Sequence, residues 1–140
     1  MQQFVFIVGA ILAVAAHPDH ASAQDYPNRT VRIVVPYAPG GGVSLLAQTM
    51  GNKMSELMKQ PVIVDNRPGA GGNLGADVVA KSAPDGYTLL LHTSAMSSAS
   101  SLYSKLPFDP VKEFAPVSMV IATQFVIGGS PKNPATNFAS

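Results

Sequence analysis

The sequence predicts an α/β fold, in which a parallel sheet carries helices on both faces. Three observations support this. Short β-branched runs alternate with longer segments of helical period. The runs are apolar almost throughout, as strands covered on both faces are. The segments between them are long enough for the helical crossovers that parallel strands require.

Asp25–Thr30 is a polar entry segment, and Val31–Val35 reads as the first strand, ended by Pro36 and Pro39. Ser44–Lys59 reads as a helix, because Leu46, Met50, Met54, Leu57 and Met58 recur at three- and four-residue steps and share one face. That methionine-bearing face is expected to be core. Val62–Asn66 is the second strand. Asn73–Lys81 is the second helix, with Leu74, Val78 and Val79 facing inward. Ala83-Pro84-Asp85-Gly86 is a turn, and Tyr87–His92 is the third strand. Thr93-Ser94 and the serines at 97, 98, 100 and 101 read either as a plain flexible loop or as a source of hydroxyls for a ligand. Leu106-Pro107-Phe108-Asp109-Pro110 is turn-rich. Val117–Ile127 reads as one or two strands ending at Gly128-Gly129. Asn137–Ser140 begins a helix that does not continue, which reads as a fragment or a truncated reading frame.

Strand ends in such sheets are where ligands sit. Two of the three strands run straight into glycine-rich loops that open helices: Tyr37-Ala38-Pro39-Gly40-Gly41-Gly42, and Gly69-Ala70-Gly71-Gly72-Asn73. Glycine lets backbone N–H groups approach a ligand, and a helix N-terminus adds unpaired donors and partial positive charge. Two such loops at one sheet edge make a cleft suited to a small anion.

Other chemistries are poorly served. The 140 residues are 46% hydrophobic and 12% charged, with a formal net charge of +1 and no run of basic residues, so the footprint of a nucleic-acid binder is missing. Without cysteine there are no disulfides, thiolate metal sites or cysteine nucleophiles. Gly69-Ala70-Gly71-Gly72-Asn73-Leu74-Gly75 misses the dinucleotide fingerprint, since Leu74 stands where the third glycine belongs and no acidic residue ends the next strand. Lys81-Ser82 ends a helix where a phosphate loop would start one. No Gly-x-Ser-x-Gly elbow occurs. Asp77 and Lys81 are spaced as a surface pair, and Asp85 belongs to a turn. Asp65 ends a strand, but one carboxylate is not a mechanism. No catalytic residue, metal ligand or cofactor is therefore expected.

At the N-terminus, Phe4–Ala16 is apolar apart from Gly9 and too short to span a bilayer comfortably, which takes about 20 residues. Ala21-Ser22-Ala23 then supplies the small-x-small pattern of a signal-peptidase site, although Met1-Gln2-Gln3 lacks a basic side chain. The expectation is a cleaved signal peptide over residues 1–23; the competing readings are a buried helix or a retained anchor. Cleavage removes His17 and His20 and leaves His92 as the one histidine. A lone histidine cannot build a structural zinc site without cysteine.

The ordered strings Tyr26-Pro27 with Val31–Pro36, Ala38-Pro39-Gly40-Gly41, Val64–Asn73, Ala83–Leu90, Leu106–Pro110 and Phe114–Ser118 resemble the Bug-type periplasmic solute receptors of tripartite tricarboxylate transporters. The resemblance implies a periplasmic-binding-protein-like fold of type II, truncated here before most of the second domain. Residues 24–120 would be an incomplete first domain and 121–140 a crossing segment. It implies a non-catalytic extracytoplasmic receptor for a small carboxylate, which it delivers to a membrane permease. Carried over residue by residue, the ligand-facing positions are Tyr37, Ala38, Pro39, Gly40, Gly41 and Ser44, then Ala70, Gly71, Gly72 and Asn73, then Thr93 and Ser94. Ser44 and Gln48 stand where the family usually has Asp and Arg. The alternatives are an envelope α/β hydrolase using a serine of Ser94–Ser101, or a non-functional remnant. The signal peptide predicts that protein recovered from the envelope fraction has an intact mass beginning at Gln24. Membrane-held protein retaining Met1 would contradict it.

Overall fold

The computed structural model describes residues 26–124. The expected signal peptide, the end of the expected crossing segment and the helix start at Asn137 lie outside the described residues. In chain order the elements are β1 (Val31–Val35), α1 (Gly42–Met58), β2 (Val62–Asn66), a 3-10 turn (Ala70–Gly72), α2 (Asn73–Ala80), β3 (Thr88–Leu90) and α3 (Ala95–Leu102). The sheet is parallel throughout, in the order β2-β1-β3.

β1 is the centre of everything. Val35 pairs with Asn66 on one side, and Val34 pairs with Leu90 on the other. Val31, Val34 and Val35 are fully buried. Ile33 and Val35 pack with Ala47 of α1 and with Met54, Val62, Val64, Leu89 and Leu91 around them. Val34 points to the opposite face, as strand alternation requires, and α2 packs against β1 and β3.

The register brings all three strand ends to the same edge. β3 is shorter than the expected Tyr87–His92, yet its ladder runs on at both ends. Arg32 donates to the Tyr87 carbonyl at 2.8 Å, and Leu91 donates to the Val34 carbonyl at 3.0 Å.

The helix faces differ from expectation. The buried residues of α1 are Ser44, Ala47 and Gly51, with Met54 and Met58 only half-buried and Leu57 72% exposed. Small side chains let α1 lie close on the sheet, so the large ones border the contact instead of filling it. In α2 it is Asn73, Gly75 and Ala76 that are buried, while Leu74 is 56% exposed. The serine-rich stretch is helical: Met96, Ala99 and Tyr103 follow one another at helical spacing, with Ala99 buried. Val117–Gln124 forms no strand, and Val117, Met119 and Ile121 are exposed. A β-branched run becomes a strand only where it pairs with another, and this segment pairs with neither edge strand of the described sheet.

Two helical glycines separate cleanly by their surroundings. A β-carbon at Gly51 would meet Val62 and Val64 at 3.6–3.7 Å, which is ordinary contact. One at Gly75 would lie 2.7 Å from Pro36 Cβ and 3.1 Å from the Arg67 carbonyl. Gly51→Ala is therefore expected to raise stability by about 0.5–1 kcal/mol. Gly75→Ala is expected to lower it by about 1–3 kcal/mol through overpacking. Denaturant titration of both variants checks the opposite signs.

Candidate ligand-binding site

The three loops leave the same sheet edge and are tied together by polar side chains. The first tie is Asn66, the last residue of β2. Its amide nitrogen donates to the Tyr37 carbonyl at 2.9 Å and to the Ser44 hydroxyl at 3.1 Å, and Ser44 lies 3.3 Å from its amide oxygen. Asn66 thus grips both ends of the loop between β1 and α1. Ser44, expected to face a ligand, is instead fully buried in this grip.

The second tie is at the end of β3. The Tyr37 hydroxyl shares a hydrogen bond of 2.6 Å with the Thr93 hydroxyl and lies 3.4 Å from His92 Nδ1. The Tyr37 and His92 rings meet edge-on, with centroids 5.6 Å apart. His92 Nδ1 lies 2.9 Å from the Thr93 N–H and 3.0 Å from the Thr93 carbonyl, and Nε2 faces Gly72. Thr93 also accepts from the Ala95 amide at 3.3 Å and so helps start α3, while Ser94 is exposed at its first turn.

The two glycine loops differ in kind. Around Gly40 and Gly42 a β-carbon would meet nothing, and at Gly41 only the Ala38 carbonyl at 3.6 Å. Gly41 caps α1 without a side-chain partner. The first helical bond is donated by Leu45 to the Gly41 carbonyl, so the amides ahead of it project from the helix start. Ala38 and Pro39 are exposed beside them. This is open space lined by donors.

The second loop is full. Gly69, Ala70, Gly71 and Gly72 have successive positive φ values of 138°, 48°, 67° and 102°. A β-carbon at Gly72 would lie 2.7 Å from His92 Nε2, and one at Gly71 would collide with the Tyr103 hydroxyl. Asn73 is buried, its amide bonded to the Ala70 carbonyl. Glycine is needed at 71 and 72 for their backbone and for their own neighbours. The space beside the backbone is open at the first loop and is taken by neighbouring side chains here.

Asp65 is ion-paired, with Arg67 at 2.9 Å and Arg32 at 3.5 Å. No serine of Ser94–Ser101 hydrogen-bonds to His92 among the described residues, and no cluster of His, Asp and Glu able to hold a metal occurs among them. No helix among them is long and apolar enough to cross a membrane. Reading the sequence missed Asn66, His92 and Tyr103 as parts of this edge. The first two were signalled by their places at strand ends.

The model of the tripartite tricarboxylate transporter family receptor matches residues 46–140. The chain belongs to that family. It is 37% identical to the protein BugT of Bordetella pertussis over 134 residues, which is 94% of this chain and 41% of BugT. Among solved structures, the periplasmic binding protein BugD matches with a TM-score of 0.62 and 40% identity, covering 65% of this chain and 30% of BugD. MatC of Rhodopseudomonas palustris, solved with bound malate, matches with a TM-score of 0.61 and 42% identity, covering 66% of this chain and 32% of MatC. The chain therefore spans about two fifths of BugT and less than a third of either solved structure. Its α/β fold with a parallel sheet is that of the periplasmic binding proteins.

His92 sets a pH dependence. Burial pushes its pKa below the ordinary histidine value, against the opposing pull of backbone hydrogen bonds at Thr93 and Gly72. The unfolded chain then takes up a proton more readily than the folded one. Stability is expected to be complete above about pH 6.5, the ordinary value, and to fall as acid is added below it. Thermal melts across pH 5–8 should show this loss in the native protein, and a flatter profile over that window in His92→Gln.

Proposed function

We propose that this chain supplies one wall of a non-catalytic, cell-envelope receptor for a small carboxylate, which hands its ligand to a membrane permease. The observation that carries the reading is the open Gly40–Gly42 loop. Unblocked glycines sit at the uncapped start of a helix of 17 residues, where backbone N–H groups and the helix dipole favour an anion. Family membership and the malate bound in MatC give the anion its chemical class. The ligand-facing residues in this reading are Tyr37 to Gly41 of the first loop, with Ala70–Asn73 and Thr93-Ser94 as the flanking walls. The signal-peptide pattern and the periplasmic relatives support the compartment.

Calorimetry of the receptor with both walls present, using malate, adipate and citrate, tests the reading, with saturable binding of at least one expected. Gly41→Val is the discriminating variant. Gly41 has φ −74°, which an L side chain adopts without strain, and its β-carbon position is open, so the fold should be kept. A branched side chain there fills the space above the helix start, and saturable binding should disappear while the melting temperature holds. Unchanged affinity in a folded Gly41→Val protein would remove this loop from the site.

A further inference from the structure

Beside the loops stands a hydroxyl that the fold positions and does not use. Tyr103 follows the last turn of α3, with its N–H donated to the Ala99 carbonyl at 3.0 Å and its own backbone extended at φ −116°. This end of the helix sends the side chain toward the turn after β2, where its hydroxyl lies against Gly71. The residue is 39% exposed, so its hydroxyl is not sealed in a core. Among the described residues the hydroxyl makes no hydrogen bond, whereas those of Tyr26, Tyr37 and Tyr87 all do. The hydroxyl is thus a free donor, open in part to solvent, beside the loops that leave this edge of the sheet.

We propose that Tyr103 is a ligand-contacting residue whose hydroxyl donates a hydrogen bond to a carboxylate oxygen held at this edge. The inference rests on the carboxylate reading of the site and adds to it a selecting group from α3. A donor hydroxyl favours a carboxylate over an uncharged isostere, because a hydrogen bond to an ionised acceptor is shorter and stronger than one to a neutral acceptor. The bare alternative is that the ring only packs on the glycine turn.

Tyr103→Phe separates the two, since it keeps the ring and removes the hydroxyl. The experiment is calorimetry of the native protein and of Tyr103→Phe with malate, adipate and citrate, together with thermal melts of both. The expected result is a Kd raised about tenfold or more for the bound carboxylate, the loss that one hydrogen bond to a charged group carries, with an unchanged melting temperature. A second measurement needs no variant: the Tyr103 ring resonances should shift when the native protein is saturated with that carboxylate. Equal affinity in Tyr103→Phe, or ring resonances that stay in place on saturation, would overturn the assignment while leaving the carboxylate reading intact. Failure of the native protein to bind any of the three would overturn both.

Discussion

The structure hangs on the desolvation of β1. It is the one strand in the described sheet with a neighbour on each edge, and its residues meet a helix on either face. Four apolar residues and the half-buried Arg32 can be desolvated this way only if every backbone group finds a partner, which the two parallel ladders and their extensions provide. The same pairing aligns the three strand ends. The loops that follow therefore have no choice about which edge they share, and Asn66 and Tyr37 need only short reaches to bind them together.

Within that edge, two loops that look alike in composition are physically opposite. The Gly40–Gly42 loop is vacant above the backbone and leads into a long helix. The Gly69–Gly72 turn winds left-handed, and its concave sides are taken by His92 and Tyr103. One glycine run presents amides outward; the other lets the chain fold tightly enough to accept neighbouring side chains. A side chain added in the second run meets the scaffold, while one added in the first meets open space.

The strands were legible from composition: Val31–Val35, buried on both faces, and Val62–Asn66, only partly buried, both begin at β-branched runs and have the predicted bounds. The helices were legible as helices and not as faces. Hydrophobic period points to Leu57 and Leu74, but close approach to the sheet is made by Ala47, Gly51 and Gly75, whose small size gives no signal in a hydrophobicity count. Serine density hid α3, since the pattern rests on Met96, Ala99 and Tyr103 alone. At the site, loop positions followed from topology, whereas the occupancy of Gly71 and Gly72 depends on side chains 20 or more residues away in sequence, Tyr103 and His92. The same is true of Ser44, whose hydroxyl is held by Asn66.

The ion pairs of Asp65 have a kinetic corollary. Its carboxylate is satisfied by Arg32 and Arg67, and the loop segments 36–44, 69–73 and 91–94 contain no charged residue. Any pull on an anion by these loops would thus come from oriented amide dipoles, whose field decays more steeply with distance than that of a net charge. On the carboxylate reading proposed above, capture at this edge would be short-ranged: arrival would be governed by diffusion rather than by long-range steering, and added salt would have little to screen. Discrimination between anions of different valence falls to the spacing of donors, since no fixed countercharge rewards the extra negative charge.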